Sequence, residues 1–315
     1  MQNFTSVHDV DDLHKIMEEA FRVKQNPFAY KKLGENRTMG LLFFNSSLRT
    51  RLSTQKAAQN MGMNTMVMNI NEEGWKIETE FGVVMDGNKA EHIKEAAAVI
   101  GQYCDIIGIR AFAKLQDPAE DYKEPIISQF IKYAGVPIIS LEGGTGHPLQ
   151  AFADLITIET YKQIEKPKVV LTWAPHPKAL PQAVPNSFSE WSMAAGYELV
   201  ITHPEGYELN ENYTKGATIE YDQKKAFQDA DFIYAKSWAS YHDYGKVLST
   251  DRAWTVNREK MNLTNHARFL HCLPVRRNMV VSDDVLDSSD SVVIEEASNR
   301  VVSAQTVIKT MLENM

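Results

Sequence analysis

The sequence predicts an α/β protein of two domains, each a parallel-stranded sheet flanked by helices, with interdomain helices joining them. The chain has 315 residues, which is long for a single hydrophobic core. Short apolar runs alternate with helical periodicity along the chain, a pattern typical of parallel sheets. Polar and basic side chains follow several of the apolar runs, where ligands bind in such sheets.

Composition is that of an ordinary globular protein, with 43% apolar and 23% charged residues. The net charge of −8 argues against a nucleic-acid surface. No apolar run is long enough for a membrane span, and the N-terminus lacks the pattern of a secretory signal. The two cysteines, Cys104 and Cys272, suit a reducing compartment and lack metal-site spacing. We therefore expect a cytoplasmic protein with no metal, no other cofactor, and no nucleic-acid or membrane partner.

The first half alternates strand and helix. The predicted strands are 41–44, 64–70, 105–110 and 136–141. The predicted helices are a lead-in over 8–33, then 48–61, 91–103 and 125–134. Residues 71–90 form a polar, glycine-containing connection whose length makes it a candidate functional loop.

The second half repeats the alternation after a long helix over 149–164, the candidate bridge between domains. Its predicted strands are 168–173, 197–202, 231–235 and 267–270. Its other predicted helices are 185–195, 222–229 and 298–313. We therefore expect a first domain over 1–147, a second over 148–297, and a C-terminal helix, 298–315, that packs back on the first domain.

The turn after the first strand has the features of an anion site. The apolar run 41–44 leads through N-cap residue types into a helix, whose first N–H groups and dipole favour negative charge. This turn also supplies the hydroxyls of Ser47 and Thr50 and the guanidiniums of Arg49 and Arg51. The alternative is a capped helix with a solvated basic first turn. Basic residues normally occupy the other end of a helix, so the pattern favours an anion.

Other polar side chains lie at predicted strand ends. The turn over 45–50, Arg110 and Glu142 all fall at carboxyl ends of strands, so we expect them to meet in one crevice. Further candidates at strand ends are His147, Gln150, Cys272, Arg276 and Arg277. Arginines and hydroxyls without an acidic cluster fit a small phosphate compound. The P-loop pattern is absent, and Gly143-Gly144-Thr145-Gly146 lacks dinucleotide spacing.

Three motifs carry a family resemblance. Ser-Ser-Leu-Arg-Thr-Arg at 46–51 resembles the carbamoyl phosphate motif Ser-x-Arg-Thr-Arg of transcarbamylases, the aspartate/ornithine carbamoyltransferase superfamily. His-Pro-Leu-Gln at 147–150 resembles the family's His-Pro-x-Gln segment, and 271–274 resembles the His-Cys-Leu-Pro segment of its ornithine branch. The motifs occur in family order and at family spacing.

The resemblance implies a homotrimer with shared active sites, carbamoyl phosphate on the first domain and the amine substrate largely on the second. It implies carbamoyl phosphate contacts from Ser47, Leu48, Arg49, Thr50, Trp75, Arg110, His147, Gln150, Cys272, Leu273 and Arg300. Trp75 would enter from a neighbouring subunit; its alternative is a buried core tryptophan. Arg110, His147 and Thr50 would polarise the carbamoyl oxygen, while Arg49 and Arg51 hold the departing phosphate. Cys272 is interpreted as a neighbour of the attacking amine.

The residue at 236 bears on which amine is attacked. Ornithine enzymes of the family have an aspartate there that pairs with the free α-ammonium, whereas this chain has Lys236. A lysine repels an ammonium and favours an acylated α-nitrogen beside a carboxylate. The chain thus resembles the N-acylornithine branch, whose further site residues would be Glu142, His176, Lys236, Arg276 and Arg300.

The acyl group is expected to meet residues 86–92, and the longer match looks closest to the succinylornithine type. At position 90 the succinyl type tends to have proline and the acetyl type glutamate, but this chain has Ala90. A small uncharged residue leaves room for a succinyl carboxylate, with Lys89 or His92 as its possible partner. The alternatives are an acetylornithine, ornithine or aspartate enzyme, or a non-catalytic anion-binding paralogue. His-Cys-Leu-Pro and Lys236 oppose the aspartate reading, and the paralogue reading would require lost site residues, of which none is missing.

Overall fold

A computed structural model describes all residues, 1–315, as two compact units. The first unit comprises 1–114, 119–149 and 300–315, and the second comprises 115–118 and 150–299. The main boundaries therefore fall at 149/150 and 299/300, inside two helices. No helix has both the length and the apolar character needed to span a bilayer.

The strands and helices follow the predicted alternation, with several short additions. The strands are β1 (Thr38–Phe43), β2 (Asn64–Asn69), β3 (Ile77–Glu78), β4 (Glu91–His92), β5 (Ile106–Arg110), β6 (Ile138–Glu142), β7 (Lys168–Trp173), β8 (Glu198–Thr202), β9 (Thr218–Glu220), β10 (Phe232–Lys236) and β11 (Arg268–Leu270). The helices are α1 (Leu13–Gln25), α2 (Arg49–Asn60), α3 (Ile70–Glu73), α4 (Ile93–Tyr103), α5 (Pro118–Asp121), α6 (Pro125–Tyr133), α7 (Pro148–Tyr161), α8 (Ala183–Ala194), α9 (Gln223–Phe227), α10 (Arg258–Met261), α11 (Asp283–Leu286) and α12 (Val293–Glu313).

The first unit is built on a four-stranded parallel sheet in the order β2-β1-β5-β6. The three strands β1, β5 and β6 are almost entirely buried, as expected for parallel strands covered on both faces. They are neighbours, so their carboxyl ends lie side by side. Phe44, Arg110 and Glu142 therefore stand at one edge of this sheet, and the Phe44 N–H donates to the Arg110 carbonyl at 2.9 Å.

The second unit has a five-stranded parallel sheet in the order β11-β10-β7-β8-β9. Strands β7, β10 and β11 are adjacent, and the segments after them begin at Ala174, Ser237 and His271. The Ala174 N–H donates to the Lys236 carbonyl at 3.0 Å, so the sheet pairing continues just past the strand end. The predicted fold class, two parallel α/β sheets, is confirmed.

Several predicted boundaries were wrong for local reasons. The lead-in helix ends at Gln25 because Pro27 follows and cannot continue it. The 71–90 connection is partly ordered: α3 covers its start, and β3, inside it, pairs in parallel with β4, which follows directly after it. The last helix begins at Val293, five residues before the predicted start at 298, and the short edge strand β9 was missed. Glu295 in the first turn of α12 suits the positive end of the helix dipole.

The C-terminal part of α12 packs within the first unit. The Asn60 amide donates to Gln305 at 3.0 Å, and Gln305 in turn donates to the Pro27 carbonyl at 2.5 Å. Lys309 pairs with Glu19 at 3.0 Å, and both side chains are largely shielded from solvent. These contacts fix the position of Arg300, the first residue of this part of the helix, within the first unit.

Candidate active site

The turn between β1 and α2 is the first element of the site in the first unit. Helix α2 begins at Arg49, so the predicted first helical residue, Leu48, is instead the N-cap and its side chain is 71% exposed. The Ser47 hydroxyl accepts a hydrogen bond from the Thr50 N–H at 3.3 Å. Arg49 is half-buried, and its Nε is a buried donor that has no hydrogen-bond partner in the protein. A buried guanidinium donor without a partner is suited to an incoming anion.

Arg110 joins this turn to the neighbouring strand ends. Its guanidinium lies 3.2 Å from the Glu142 carboxylate through both Nε and Nη2. Its Nη1 donates to the carbonyls of Asn45, at 2.9 Å, and Ser46. Burial lowers the pKa of Arg110, Glu142 opposes this shift, and nearby Arg49 adds to it. An arginine remains protonated under these conditions, so the group is a fixed cation.

His147 and Arg300 complete the group in the first unit. The His147 Nε2 lies 3.6 Å from the Glu142 carboxylate and 3.5 Å from Nη2 of Arg300. The same Arg300 nitrogen donates to the Thr50 hydroxyl at 2.7 Å, across 250 residues of sequence. His147, Thr50 and Arg300 are all nearly inaccessible to solvent.

The charges of this group favour an anionic ligand. The group contains three guanidiniums, those of Arg49, Arg110 and Arg300, and one carboxylate, that of Glu142, which pairs with Arg110, so the group carries an excess of positive charge. A phosphate group carries nearly two negative charges at neutral pH. Arg51 lies two residues beyond Arg49, so helix geometry turns its side chain to another face. Its predicted phosphate contact stays a prediction.

The 71–90 connection carries Trp75 on its surface. The indole is 60% exposed and donates from Nε1 to the Glu91 carboxylate at 2.8 Å. The alternative of a buried core tryptophan was therefore wrong for the single chain. Ala90 is exposed on the same loop, and its N–H donates to the Lys76 carbonyl at 3.0 Å.

Lys89 and His92, the two residues predicted near the acyl group, both have hydrogen-bond partners in or next to this loop. Lys89 donates to the Glu78 carboxylate at 2.6 Å, and this hydrogen bond is the main reason that the pKa of Glu78 falls to about 2. The Nδ1 of His92 accepts the Lys94 N–H at 3.1 Å as the cap of α4, and its Nε2 lies 3.3 Å from the Glu80 carbonyl. That Lys89 or His92 contacts the succinyl carboxylate stays a prediction.

A cationic group lies at the strand ends of the second unit. Arg276 donates from Nε to Nε2 of His176 at 3.0 Å, across 100 residues of sequence. This bond makes Nε2 the acceptor, so Nδ1 carries the proton and donates to the Lys178 carbonyl at 2.9 Å. Burial lowers the pKa of His176, and the charges of Arg276, Lys236 and Lys178 lower it further. A neutral imidazole therefore lies among three cations, a setting suited to carboxylates.

Gln150 and the 271–273 segment meet at a buried pair of carboxylates in the second unit. The Gln150 amide donates to Asp154 at 2.7 Å and to Glu296 at 3.3 Å, while its own Oε1 has no hydrogen-bond partner in the protein. Glu296 also accepts the His271 N–H at 2.8 Å. Complete burial and the nearby Asp154 raise the pKa of Glu296 well above its usual range. Cys272, next to His271, is buried and forms no disulfide.

Gln150 lies in the second unit, directly after the 149/150 boundary, and the predicted domain bounds, with a second domain from 148, include it there as well. Sequence reasoning missed Asp154 and Glu296, which accept hydrogen bonds from Gln150, and Glu124, which holds the loop between Glu142 and His147. Asp154 and Glu296 fall on apolar helix faces, and an acidic residue on such a face signals a buried polar network. No comparable local signal marks Glu124.

Both halves of the chain match domain models of one protein family. Residues 2–160 match the carbamoyl-P binding domain of aspartate/ornithine carbamoyltransferase, and residues 181–311 match its Asp/Orn binding domain. An N-succinylornithine carbamoyltransferase of Bacteroides fragilis (strain 638R) is 59% identical over the full length of both chains. An N-acetylornithine carbamoyltransferase of Xanthomonas campestris pv. campestris is 33% identical over 96% of this chain and 94% of the relative.

Solved structures of transcarbamylases agree with this family match. An acetylornithine transcarbamylase in complex with acetylcitrulline superimposes with a TM-score of 0.93 at 33% identity, covering 99% of each chain. A variant of N-acetyl-L-ornithine transcarbamylase in which a glutamate is replaced by alanine, solved with carbamyl phosphate and N-succinyl-L-norvaline, gives the same TM-score of 0.93 and covers 99% of this chain. The chain therefore belongs to the aspartate/ornithine carbamoyltransferase family and is a carbamoyltransferase.

Proposed function

We propose that this enzyme transfers the carbamoyl group of carbamoyl phosphate to the side-chain amine of N2-succinyl-L-ornithine. The products are N-succinyl-L-citrulline and phosphate, and the reaction belongs to arginine biosynthesis. The observation that carries the proposal is the cationic group of Lys236, Arg276 and His176 in a carbamoyltransferase, combined with an uncharged residue at Ala90. The full-length relative at 59% identity bears the corresponding name.

Carbamoyl phosphate binding is assigned to the first-unit group. The first turn of α2, with the Ser47 and Thr50 hydroxyls and the N–H groups from Leu48 onward, receives the phosphate together with Arg49. Arg110, His147 and Arg300 supply further donors toward the phosphate and the carbamoyl oxygen. The unpartnered amide oxygen of Gln150 is suited to accept from the carbamoyl NH₂ group. Trp75, Cys272 and Leu273 complete the proposed set.

The chemistry follows from these donors. A neutral amine attacks the carbamoyl carbon, and the bond from that carbon to the phosphate oxygen breaks as phosphate leaves. Arg110, His147 and Thr50 stabilise the negative charge that develops on the carbamoyl oxygen, because they are fixed before reaction. Arg49 neutralises the departing phosphate. Orientation of the two substrates supplies the remaining acceleration, so no covalent intermediate with Cys272 is required.

N-Acylornithine binding is assigned to the second-unit group, with Glu142 as an additional contact. Free ornithine presents an α-ammonium, which Lys236 and Arg276 would repel. Acylation removes that charge and leaves the α-carboxylate, which the same cations attract. A succinyl group adds a second carboxylate, and the positive group suits this substrate better than one with a single carboxylate.

The acyl preference depends on Ala90. We take the glutamate of the acetyl-type enzymes to be the counterpart of this residue. Structures of one such enzyme have been solved with N-succinyl-L-norvaline for variants in which a glutamate is replaced by alanine, serine, proline or valine. A small or uncharged side chain there is therefore compatible with a succinyl group, and Ala90 supplies one.

The second candidate function is carbamoylation of N-acetyl-L-ornithine, which the relatives at 33–36% identity favour. A colorimetric assay for citrulline-type products would compare N-succinylornithine, N-acetylornithine, ornithine and aspartate at equal concentration. We expect the highest kcat/KM with N-succinylornithine and almost no product from ornithine or aspartate. A higher kcat/KM with N-acetylornithine would replace the first proposal by the second, and no product with any amine would contradict both.

A homotrimer with shared active sites is proposed from the surface of the first unit. Apolar side chains are exposed along the edge strand β2 and the start of α2: Leu48, Leu52, Met66 and Met68. An exposed apolar patch at a sheet edge is typical of a protein–protein interface. The exposed Trp75 is then free to reach a neighbouring subunit. A cytoplasmic location is proposed from the family's soluble substrates and from the two buried cysteines, which form no disulfide.

Mixing two inactive variants tests the shared site. Trp75→Ala subunits and Arg49→Ala subunits should each be nearly inactive alone. After dissociation and reassociation of an equal mixture, random assortment in a cyclic trimer should place both native residues at about one quarter of the sites. We expect a matching recovery of activity. If mixed trimers form, as native mass spectrometry can verify, and no activity returns, Trp75 does not act across subunits.

A further inference from the structure

The loop between Glu142 and His147 is held by the partly buried carboxylate of Glu124. Glu124 accepts hydrogen bonds from the Gly144 N–H at 3.0 Å through Oε2, and from the Thr145 N–H at 2.6 Å and the Thr145 hydroxyl at 2.7 Å through Oε1. Three donors on one carboxylate fix both of its oxygens. Burial raises the pKa of Glu124, and these three hydrogen bonds oppose that shift.

The glycines of this loop leave the room that the carboxylate occupies. A Cβ on Gly143 would lie 2.5 Å from both Glu124 carboxylate oxygens, and one on Gly144 would lie 2.8 Å from the Asp121 carbonyl. A backbone hydrogen bond from the Gly143 N–H to the Gly146 carbonyl, at 2.8 Å, closes the loop. Glycine at 143 therefore leaves the space that the Glu124 carboxylate occupies, and glycine at 144 allows the loop to lie close to Asp121.

The backbone at Glu124 is also costly for a glutamate. Its φ of +48° lies in the left-handed region, where residues with a Cβ are strained and glycine is favoured. A glutamate at the N-cap of α6 makes no capping hydrogen bond with that helix. The position is therefore poorly explained by helix capping and well explained by the contact with the loop.

We infer that Glu124 is a positioning residue that holds the 143–146 loop and thereby sets the placement of Glu142 and His147. These two side chains lie at the ends of the loop and 3.6 Å apart. Glu142 in turn holds Arg110, so a shift of the loop would displace the donors around the carbamoyl oxygen. The inference rests on the proposed function, because it assigns its effect to carbamoyl phosphate.

Glu124→Gln tests the inference with little change in volume. A glutamine keeps one acceptor oxygen for Thr145 but places an NH₂ group against the Gly144 N–H, so the loop must move. We expect kcat/KM for carbamoyl phosphate to fall by about tenfold to a hundredfold. KM for N-succinylornithine should rise less than KM for carbamoyl phosphate, because Glu142 is its only proposed contact at the end of this loop.

The matched control is Glu120→Gln, which removes a carboxylate from an exposed side chain four residues away. It should leave both kinetic constants unchanged. If circular dichroism shows that Glu124→Gln does not fold, the positioning role is tested instead by comparing Thr145→Val with Thr145→Ser. Valine removes the hydroxyl donor and should lower kcat/KM for carbamoyl phosphate, whereas serine keeps the donor and should restore it.

These experiments distinguish failure of the proposed function from failure of the positioning role of Glu124. If the wild-type enzyme does not bind carbamoyl phosphate in a calorimetric titration, the proposed function is wrong. If the wild-type enzyme binds it and the folded Glu124→Gln variant has wild-type kinetics, only the positioning role is overturned. An equal rise in KM for both substrates would also contradict it, because general destabilisation and not the loop would then explain the loss.

Discussion

Replacing Arg49 by alanine is expected to weaken carbamoyl phosphate binding more than any other single change in the first turn of α2. The Arg49 Nε is a buried donor without a protein partner, so the ligand is its natural acceptor. Hydrogen bonds between charged groups contribute about 1.5–3 kcal/mol, which corresponds to a loss of affinity of roughly tenfold to 150-fold. Isothermal titration with carbamoyl phosphate measures this directly.

The fold should survive the Arg49→Ala change, because the side chain makes no hydrogen bond that holds the turn. Lys56→Ala is the matched control: it removes one positive charge from an exposed position on the same helix. The control should bind carbamoyl phosphate with wild-type affinity. Equal affinities for Arg49→Ala and the wild type would remove Arg49 from the site, and equal losses in both variants would indicate a general electrostatic effect.

Replacing Ala90 by glutamate is expected to reverse the acyl preference. A glutamate on this exposed loop would place a carboxylate close to the succinyl carboxylate. Like charges juxtaposed in a partly closed site cost on the order of several kcal/mol, which is enough to reverse a preference. Turnover of N-succinylornithine should be lost, while turnover of N-acetylornithine is retained or gained. Steady-state kcat/KM for both substrates gives the result.

Ala90→Gln separates charge from size in that experiment. Glutamine has nearly the volume of glutamate without its charge, so it should reduce N-succinylornithine turnover far less. Equal losses from the two substitutions would show that space, not charge, governs position 90. A wild-type enzyme that prefers N-acetylornithine would falsify the specificity assignment itself.

The fold class, the family and the residue types at the strand ends could all be predicted from local sequence patterns. Alternating periodicity is a local property, and so is a strand–turn–helix such as that around Arg49. Because parallel strands bring their carboxyl ends to one edge, Arg110 and Glu142 could be expected to meet before any contact was known, and the structure brings them together at 3.2 Å. The family, predicted from motifs at 46–51, 147–150 and 271–274, is confirmed.

Contacts between side chains far apart in the sequence could be identified only from the tertiary structure. The Arg300–Thr50 and Arg276–His176 contacts join residues 250 and 100 positions apart, and no local pattern encodes such pairs. Lys89 has the charge expected of an acyl contact, but its hydrogen bond to Glu78 depends on how the loop folds. Glu124 has no signal in the sequence, since a glutamate before a proline is typical of an ordinary helix start. Its role depends on a buried loop that approaches from another segment, because hydrogen-bond satisfaction is a property of the packed interior.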